Sequence, residues 1–99
     1  MLQAHIYIDK EEMKGEKPLY QFILEFLLKN GIVGATAFRG VMGFGRNHHL
    51  KNPDRLFSFD EPPMLIIFID EKDKVRNVLK ELKKENSTGF TIVSEVEKI

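Results

Sequence analysis

Three of the chain's four arginines, Arg39, Arg46 and Arg55, fall between positions 39 and 55. They share that region with the segment RGVMGFGRNHHLK (39–51), which also holds Gly40, Gly43, Gly45, Phe44, His48, His49 and Lys51. A guanidinium presents a planar fork of donors matched to phosphate or carboxylate oxygens, which an ammonium cannot reproduce. Glycines free the backbone to take up positive φ and let an anion approach main-chain N–H groups. Arginine for charge and glycine for access predict an anion site here, with Arg39, Gly40, Gly43, Phe44, Gly45 and Arg46 as its candidate residues. The simpler alternative is a hairpin connection whose basic side chains are only solvated.

Familiar phosphate and nucleic-acid signatures do not fit. A P-loop needs GxxxxGK[ST], which the chain lacks. A dinucleotide fingerprint would follow the first strand and open a helix, whereas these glycines follow the second strand. An acylphosphatase carries its arginine between the first strand and first helix, where this chain has KEEMKGEK. An RNA-recognition motif would begin its octamer on a central strand and follow Arg-Gly with stacking aromatics. RGVMGFGR offers Val41, Met42 and Gly43 instead, leaving Tyr7 as a single aromatic on the first strand. His48 and His49 are adjacent, so their side chains diverge in an extended chain and suit solvent better than a shared metal. No catalytic grouping and no metal set emerges. Lys14 and Lys17, at the start of the first helix, oppose its dipole unless an anion is near, a second hint of a bound phosphate against the alternative of a solvated loop.

The elements that must position these residues follow from periodicity. A chain of 99 residues with 42% hydrophobic and 30% charged residues is expected to form one globular domain, 1–99. Fifteen basic against fifteen acidic residues leave no net field to attract nucleic acid or an anionic membrane. The absence of cysteine excludes disulfides, thiol nucleophiles and thiolate-bound zinc. MLQAHIYIDKEE has no basic leader, and the longest apolar run, MLIIFI, is too short to span a bilayer, so a cytoplasmic protein is expected.

LQAHIYID alternates, with Leu2, Ala4, Ile6 and Ile8 on one face and Gln3, His5 and Tyr7 on the other. Pro18 suits a first helical position, and Leu19, Phe22, Ile23, Phe26 and Leu27 predict a helix over about 17–29, stopped by Asn30-Gly31. GATAFRGVM predicts a second strand, and RLFSF followed by PPMLIIFID a third. Asp70 is expected to cap a second helix reaching about Glu85, and FTIVSEVEKI predicts the last strand. The order β-α-β-β-α-β predicts an α+β ferredoxin-like sandwich, a four-stranded antiparallel sheet with both helices on one face and strands one and three central. Met64 to Ile69 is apolar at every position, so one of its faces must be covered by something other than the helices. An oligomer built through the open face is expected. The segment 43–52, with few apolar anchors, is expected to be mobile without ligand.

GEKPLY (15–20), GATAFRGVMGFG (34–45), HIYID, PPMLIIFIDEKDKV and GFTIVSEVEKI together resemble the PII-like family of bacterial and archaeal signalling proteins, relatives of the nitrogen-regulatory PII proteins, over essentially the whole chain. The resemblance implies a non-enzymatic homotrimer that binds an adenine nucleotide, ATP, ADP or AMP, in clefts between subunits at the base of the loop joining strands two and three. It implies that Arg39, Arg46 and the backbone of Gly40 to Gly45 contact phosphates, with Glu61 to Met64 beside the base. It also implies that the loop is presented to a protein partner, an enzyme or a transporter. A nucleic-acid-binding module or a purely structural trimer on the same fold are the alternatives. One departure is plain: where PII proteins carry a second glycine-rich phosphate loop with a lysine, this chain has ENSTGF, with Gly89 alone.

Overall fold

The computed structural model describes residues 1–9, 11–43, 63–86 and 89–99. The elements are β1 (Leu2–Asp9), β2 (Met13–Lys14), β3 (Lys17–Pro18), α1 (Leu19–Lys29), β4 (Ala35–Arg39), β5 (Pro63–Asp70), α2 (Lys72–Glu85) and β6 (Phe90–Glu95). β4, β5, β1 and β6 form one antiparallel sheet in that order, with β5 and β1 at its centre. Both helices pack on one face, giving the expected α+β ferredoxin-like architecture. Ala4, Ile6, Ile66 and Phe68 from the central strands meet Leu19, Ile23 and Leu27 of α1 and Val75, Val78 and Leu82 of α2 in the core.

Two local expectations are corrected. α1 begins at Leu19, not Lys17, because Lys17–Pro18 pair with Met13–Lys14 in a small hairpin. Gly15, at φ 65°, opens the two-residue turn of that hairpin, a conformation other residues take only with strain. Pro18 is extended, with ψ 141°, and stands before the helix rather than inside it. Asp70 does not cap α2. It is the last residue of β5, and Glu71 occupies the cap position. RLFSF (55–59) and the segment 44–52, for which a strand and mobility respectively were expected, lie outside the described residues.

Asp70 instead holds the sheet end opposite Arg39. Its side chain is 5% exposed, with Oδ1 accepting from the Glu71 N–H (2.8 Å) and Oδ2 from the Val33 N–H (3.1 Å). The Lys74 ammonium stands 3.3 Å from Oδ2. Burial alone would raise this carboxyl. The two N–H groups and Lys74 outweigh burial and hold it below its usual range.

Residue pairing sorts the sheet into two faces. On the face away from the helices, Phe38, Leu65, Tyr7 and Phe90 form one row across the four strands. Thr36, Ile67, His5 and Ile92 form the next, and Ile69, Gln3 and Ser94 a third. The predicted two-sidedness of β5 is therefore present, with Met64, Ile66 and Phe68 buried under the helices and Leu65, Ile67 and Ile69 on the open face. Phe90 is 62% and Phe38 51% exposed.

Candidate functional site

Arg39, Gly40 and Gly43 sit at one corner of the sheet, where the chain leaves edge strand β4. Arg39 is the last residue of β4, paired with Met64 and exposed. Its side chain makes no ion pair or hydrogen bond among the described residues. An unpaired guanidinium at a strand end is available to an outside anion.

Gly40 has a packing reason of its own. Its N–H donates to the Pro63 carbonyl at 2.7 Å, closing the β4–β5 ladder. A Cβ there would lie 2.7 Å from Pro63 Cγ, closer than real Cβ contacts. Gly43 is under no such constraint, since its Cβ would meet Pro63 Cγ at an ordinary 3.5 Å. Neither glycine has positive φ, so the backbone freedom expected of them is not used at these two positions. Phe44, Gly45 and Arg46 lie outside the described residues, as do His48, His49 and Arg55.

The second phosphate hint dissolves, because both lysines already have partners within the chain. The Lys17 ammonium lies 2.7 Å from Glu25 Oε1, and that hydrogen bond leads the causes that lower the Glu25 carboxyl. Lys14 donates to the carbonyl of Glu85, the last residue of α2, where a cation complements the helix dipole. Its ammonium also lies 5.4 Å from the Phe22 ring centre.

At the same end of the sheet, but on its other edge, a cleft of about 220 Å³ opens between α1, α2 and β6. Ile6, Ile23 and Leu79 contribute apolar walls, and Lys83, Asn86 and Gly89 contribute polar groups. Gly89 is at φ 92°, and a Cβ on it would stand 2.9 Å from Ile8 Cγ2 and 3.0 Å from the Tyr7 carbonyl. Lys83 lines the cleft together with Gly89. It precedes the turn in sequence, and its place in the last turn of α2 was the signal that could have found it.

The cleft reaches from β6 to Ile6 of β1, so two to three strand spacings, roughly 10–14 Å, separate its backbone walls from Arg39 on β4. A larger cavity of about 440 Å³, lined by Met1, Val33, Ile69, Asp70, Glu71 and the 96–98 tail, lies at the opposite end of the sheet. Its acidic groups do not suit an anion. Among the described residues no cluster of three or more His, Cys, Asp or Glu could hold a metal ion, and no helix is long and apolar enough to cross a membrane.

The model of the DUF190 family, described as "Uncharacterized ACR", matches residues 1–98. A UPF0166 protein of Aquifex aeolicus (strain VF5) is 30% identical over 95 residues, which cover 95% of this chain and 89% of that protein. Among solved structures, the chain is similar to CPII, a nitrogen regulatory PII-like protein from Thiomonas intermedia K12, bound to ADP, AMP and bicarbonate. There the TM-score is 0.67 and the identity 18%, over 94% of this chain and 82% of the other. A second CPII structure, bound to ADP and bicarbonate, gives a TM-score of 0.61 and 20% identity over the same shares. Identities this low bear on the fold alone, and the fold they support is PII-like.

Proposed function

The chain belongs to the DUF190 family, and from that membership and its PII-like fold we propose that it is a one-domain, cytoplasmic, non-enzymatic sensor of adenine nucleotide, ATP, ADP or AMP. The nucleotide binds in clefts between the subunits of a homotrimer, and the 39–55 loop carries its state to a protein partner, an enzyme or a transporter. The observation that carries the reading is the unpaired Arg39 at the β4 edge, with the Lys83–Gly89 cleft at the β6 edge of the same sheet end. Neither half is a phosphate site alone. An Arg39 corner on one copy and a Lys83 cleft on the next would together supply charge, main-chain donors and an apolar wall for a base.

The open face favours a second copy as its cover. Its three rows contain no Lys, Arg, Asp or Glu, and the row beyond them at the loop end, Asp9 with Pro63, adds a carboxylate and no cation, so the face offers nothing to a phosphodiester backbone. A neutral apolar face is complementary to itself. The row Phe38, Tyr7 and Phe90 does present aromatics on which bases could stack, and it is the one observation in favour of single-stranded nucleic acid. The missing cations weigh against that alternative.

Calorimetric titration of ADP into wild type, Arg39→Ala and Arg39→Lys tests the reading. A charge-assisted hydrogen bond contributes on the order of 1.5–3 kcal/mol. Arg39→Ala should therefore weaken binding roughly 10- to 150-fold, and Arg39→Lys should recover part of the loss. The same series at Arg46 tests the loop itself. Equal affinities in all proteins would end the phosphate assignment, and binding of single-stranded RNA that falls steeply with salt would favour the alternative.

A further inference from the structure

His5 stands at the middle of the open face, flanked across the strands by Ile67 and Ile92 and along β1 by Gln3 and Tyr7. Its Nδ1 is buried and has no hydrogen-bond partner among the described residues. A buried polar atom left unpaired is costly, so its presence at the centre of a patch with no charged neighbour calls for a reason.

We propose that His5 makes assembly of the oligomer sensitive to acid: the open faces associate while its imidazole is neutral and separate when it is protonated. The inference rests on the preceding reading, in which copies of the chain cover one another's open faces. The surroundings of His5 supply the argument. β5 presents Leu65, Ile67 and Ile69, β6 presents Phe90, Ile92 and Ser94, and beyond β5 the edge strand β4 presents Thr36 and Phe38. None of these is charged. On β1 the titratable neighbours are the Tyr7 phenol, with ring centres 6.3 Å apart, and Asp9, two positions further toward the loop end. Glu97 and Lys98 lie in the tail beside Ile69 and Met1. Among the described residues no carboxylate therefore faces the imidazole to offset a positive charge.

A neutral imidazole protonated on Nε2 leaves Nδ1 as a bare acceptor, which the patch tolerates. An imidazolium would add a proton at Nδ1 with no acceptor for it. While the face is open, water at the rest of the ring moderates that charge. Once a second copy covers the face, the charge is sealed among isoleucines, and desolvation of an unpaired ion is among the largest penalties in proteins.

The sign follows from linkage. Covering the face favours the neutral form, so assembly is strongest above the ordinary imidazole range, near pH 6.5, and weakens as pH falls through it. Each excluded proton lowers the association constant about tenfold per pH unit. Three imidazoles in a trimer make that roughly a thousandfold per unit.

Light scattering on the full chain at about pH 8 and about pH 5, over a series of protein concentrations, tests the proposal. Wild type should give three times the 11.5 kDa chain mass at pH 8 and move toward the single-chain mass at pH 5. His5→Phe, which fills the same space without a proton site, should remain assembled at both. The chain has three histidines, so the double variant His48→Gln, His49→Gln leaves His5 alone, and acid dissociation must persist in it. That variant decides the matter if His5→Phe fails to fold or assemble. Wild type assembled at both pH values overturns the proposal and leaves the trimer standing. Wild type monomeric at both sinks the trimer reading, and this inference with it. Acid dissociation that survives in His5→Phe, or disappears in the double variant, assigns the effect to other groups and overturns the proposal.

Discussion

Asp70→Asn should be the most informative change away from the candidate site, because the carboxylate joins three parts of the chain. Oδ1 accepts from the Glu71 N–H at the start of α2, and Oδ2 accepts from Val33, which follows α1. Lys74 stands on Oδ2 from the first turn of α2. An asparagine keeps the shape but converts one acceptor into a donor. In either amide orientation one buried N–H then faces an NH2 group, and Lys74 loses its counter-charge. Losing one charge-assisted hydrogen bond costs about 1.5–3 kcal/mol, and the N–H left unpaired keeps the loss toward the upper end. The side chain is nearly fully buried, so solvent does little to soften this.

Urea unfolding at fixed protein concentration and pH 7 should show a loss of about 2–3 kcal/mol, roughly a 10–20 °C fall in Tm for a domain of this size. The pH dependence gives a second check. The folded Asp70 carboxyl lies below its usual range, so its stabilisation is fully present above the unfolded value near pH 4 and is lost as pH falls through the folded value. The gap between wild type and Asp70→Asn should therefore be constant from pH 7 to pH 5 and close at lower pH. Equal stabilities at pH 7, or a gap that does not narrow in acid, would refute the account of Asp70 as an ionised three-way tie.

Two glycine substitutions separate packing from ligand contact. Gly40→Ala sets a Cβ 2.7 Å from the Pro63 ring and should cost about 1–3 kcal/mol, with faster hydrogen exchange at the Gly40 amide. Pro63→Ala in the same chain should restore most of that loss. Gly89→Ala combines positive φ with contacts at 2.9 Å and 3.0 Å and should cost at least about 1–3 kcal/mol in urea unfolding.

What the sequence makes legible is whatever local periodicity encodes. The alternation of Leu2, Ala4, Ile6 and Ile8 against Gln3, His5 and Tyr7 is the same alternation seen in β1. The unbroken run Met64 to Ile69 correctly marks a central strand with an apolar open face. Long-range partners leave no such trace. Nothing near Asp70 announces Val33, 37 residues away, so the residue reads as a helix cap from its neighbours alone. Gly40 reads as a ligand glycine until Pro63, beyond the loop, is seen to crowd it. The β2–β3 hairpin was legible in Gly15-Glu16, but the strong preference of proline for a first helical position obscures it. Of the candidate site, the sequence names Arg39 but does not single out Lys83, because a lysine in an amphipathic helix looks like one more solvated charge.

On the proposed function, the placement of the two candidate half-sites ties ligand to assembly. Arg39 lies at the β4 edge and the Lys83–Gly89 cleft on the β6 side of one sheet, with two to three strand spacings between their backbones. If nucleotide needs both, it binds only where two copies meet, and binding must stabilise the assembly in proportion to occupancy. Protonation of His5 acts on the same equilibrium from the centre of the face with the opposite sign. Linkage is reciprocal, so on these two proposals acid that weakens the assembly weakens nucleotide affinity by the corresponding factor. The two sites need no direct contact for this coupling. They share only the sheet whose faces must meet for one to form, and whose burial the other opposes.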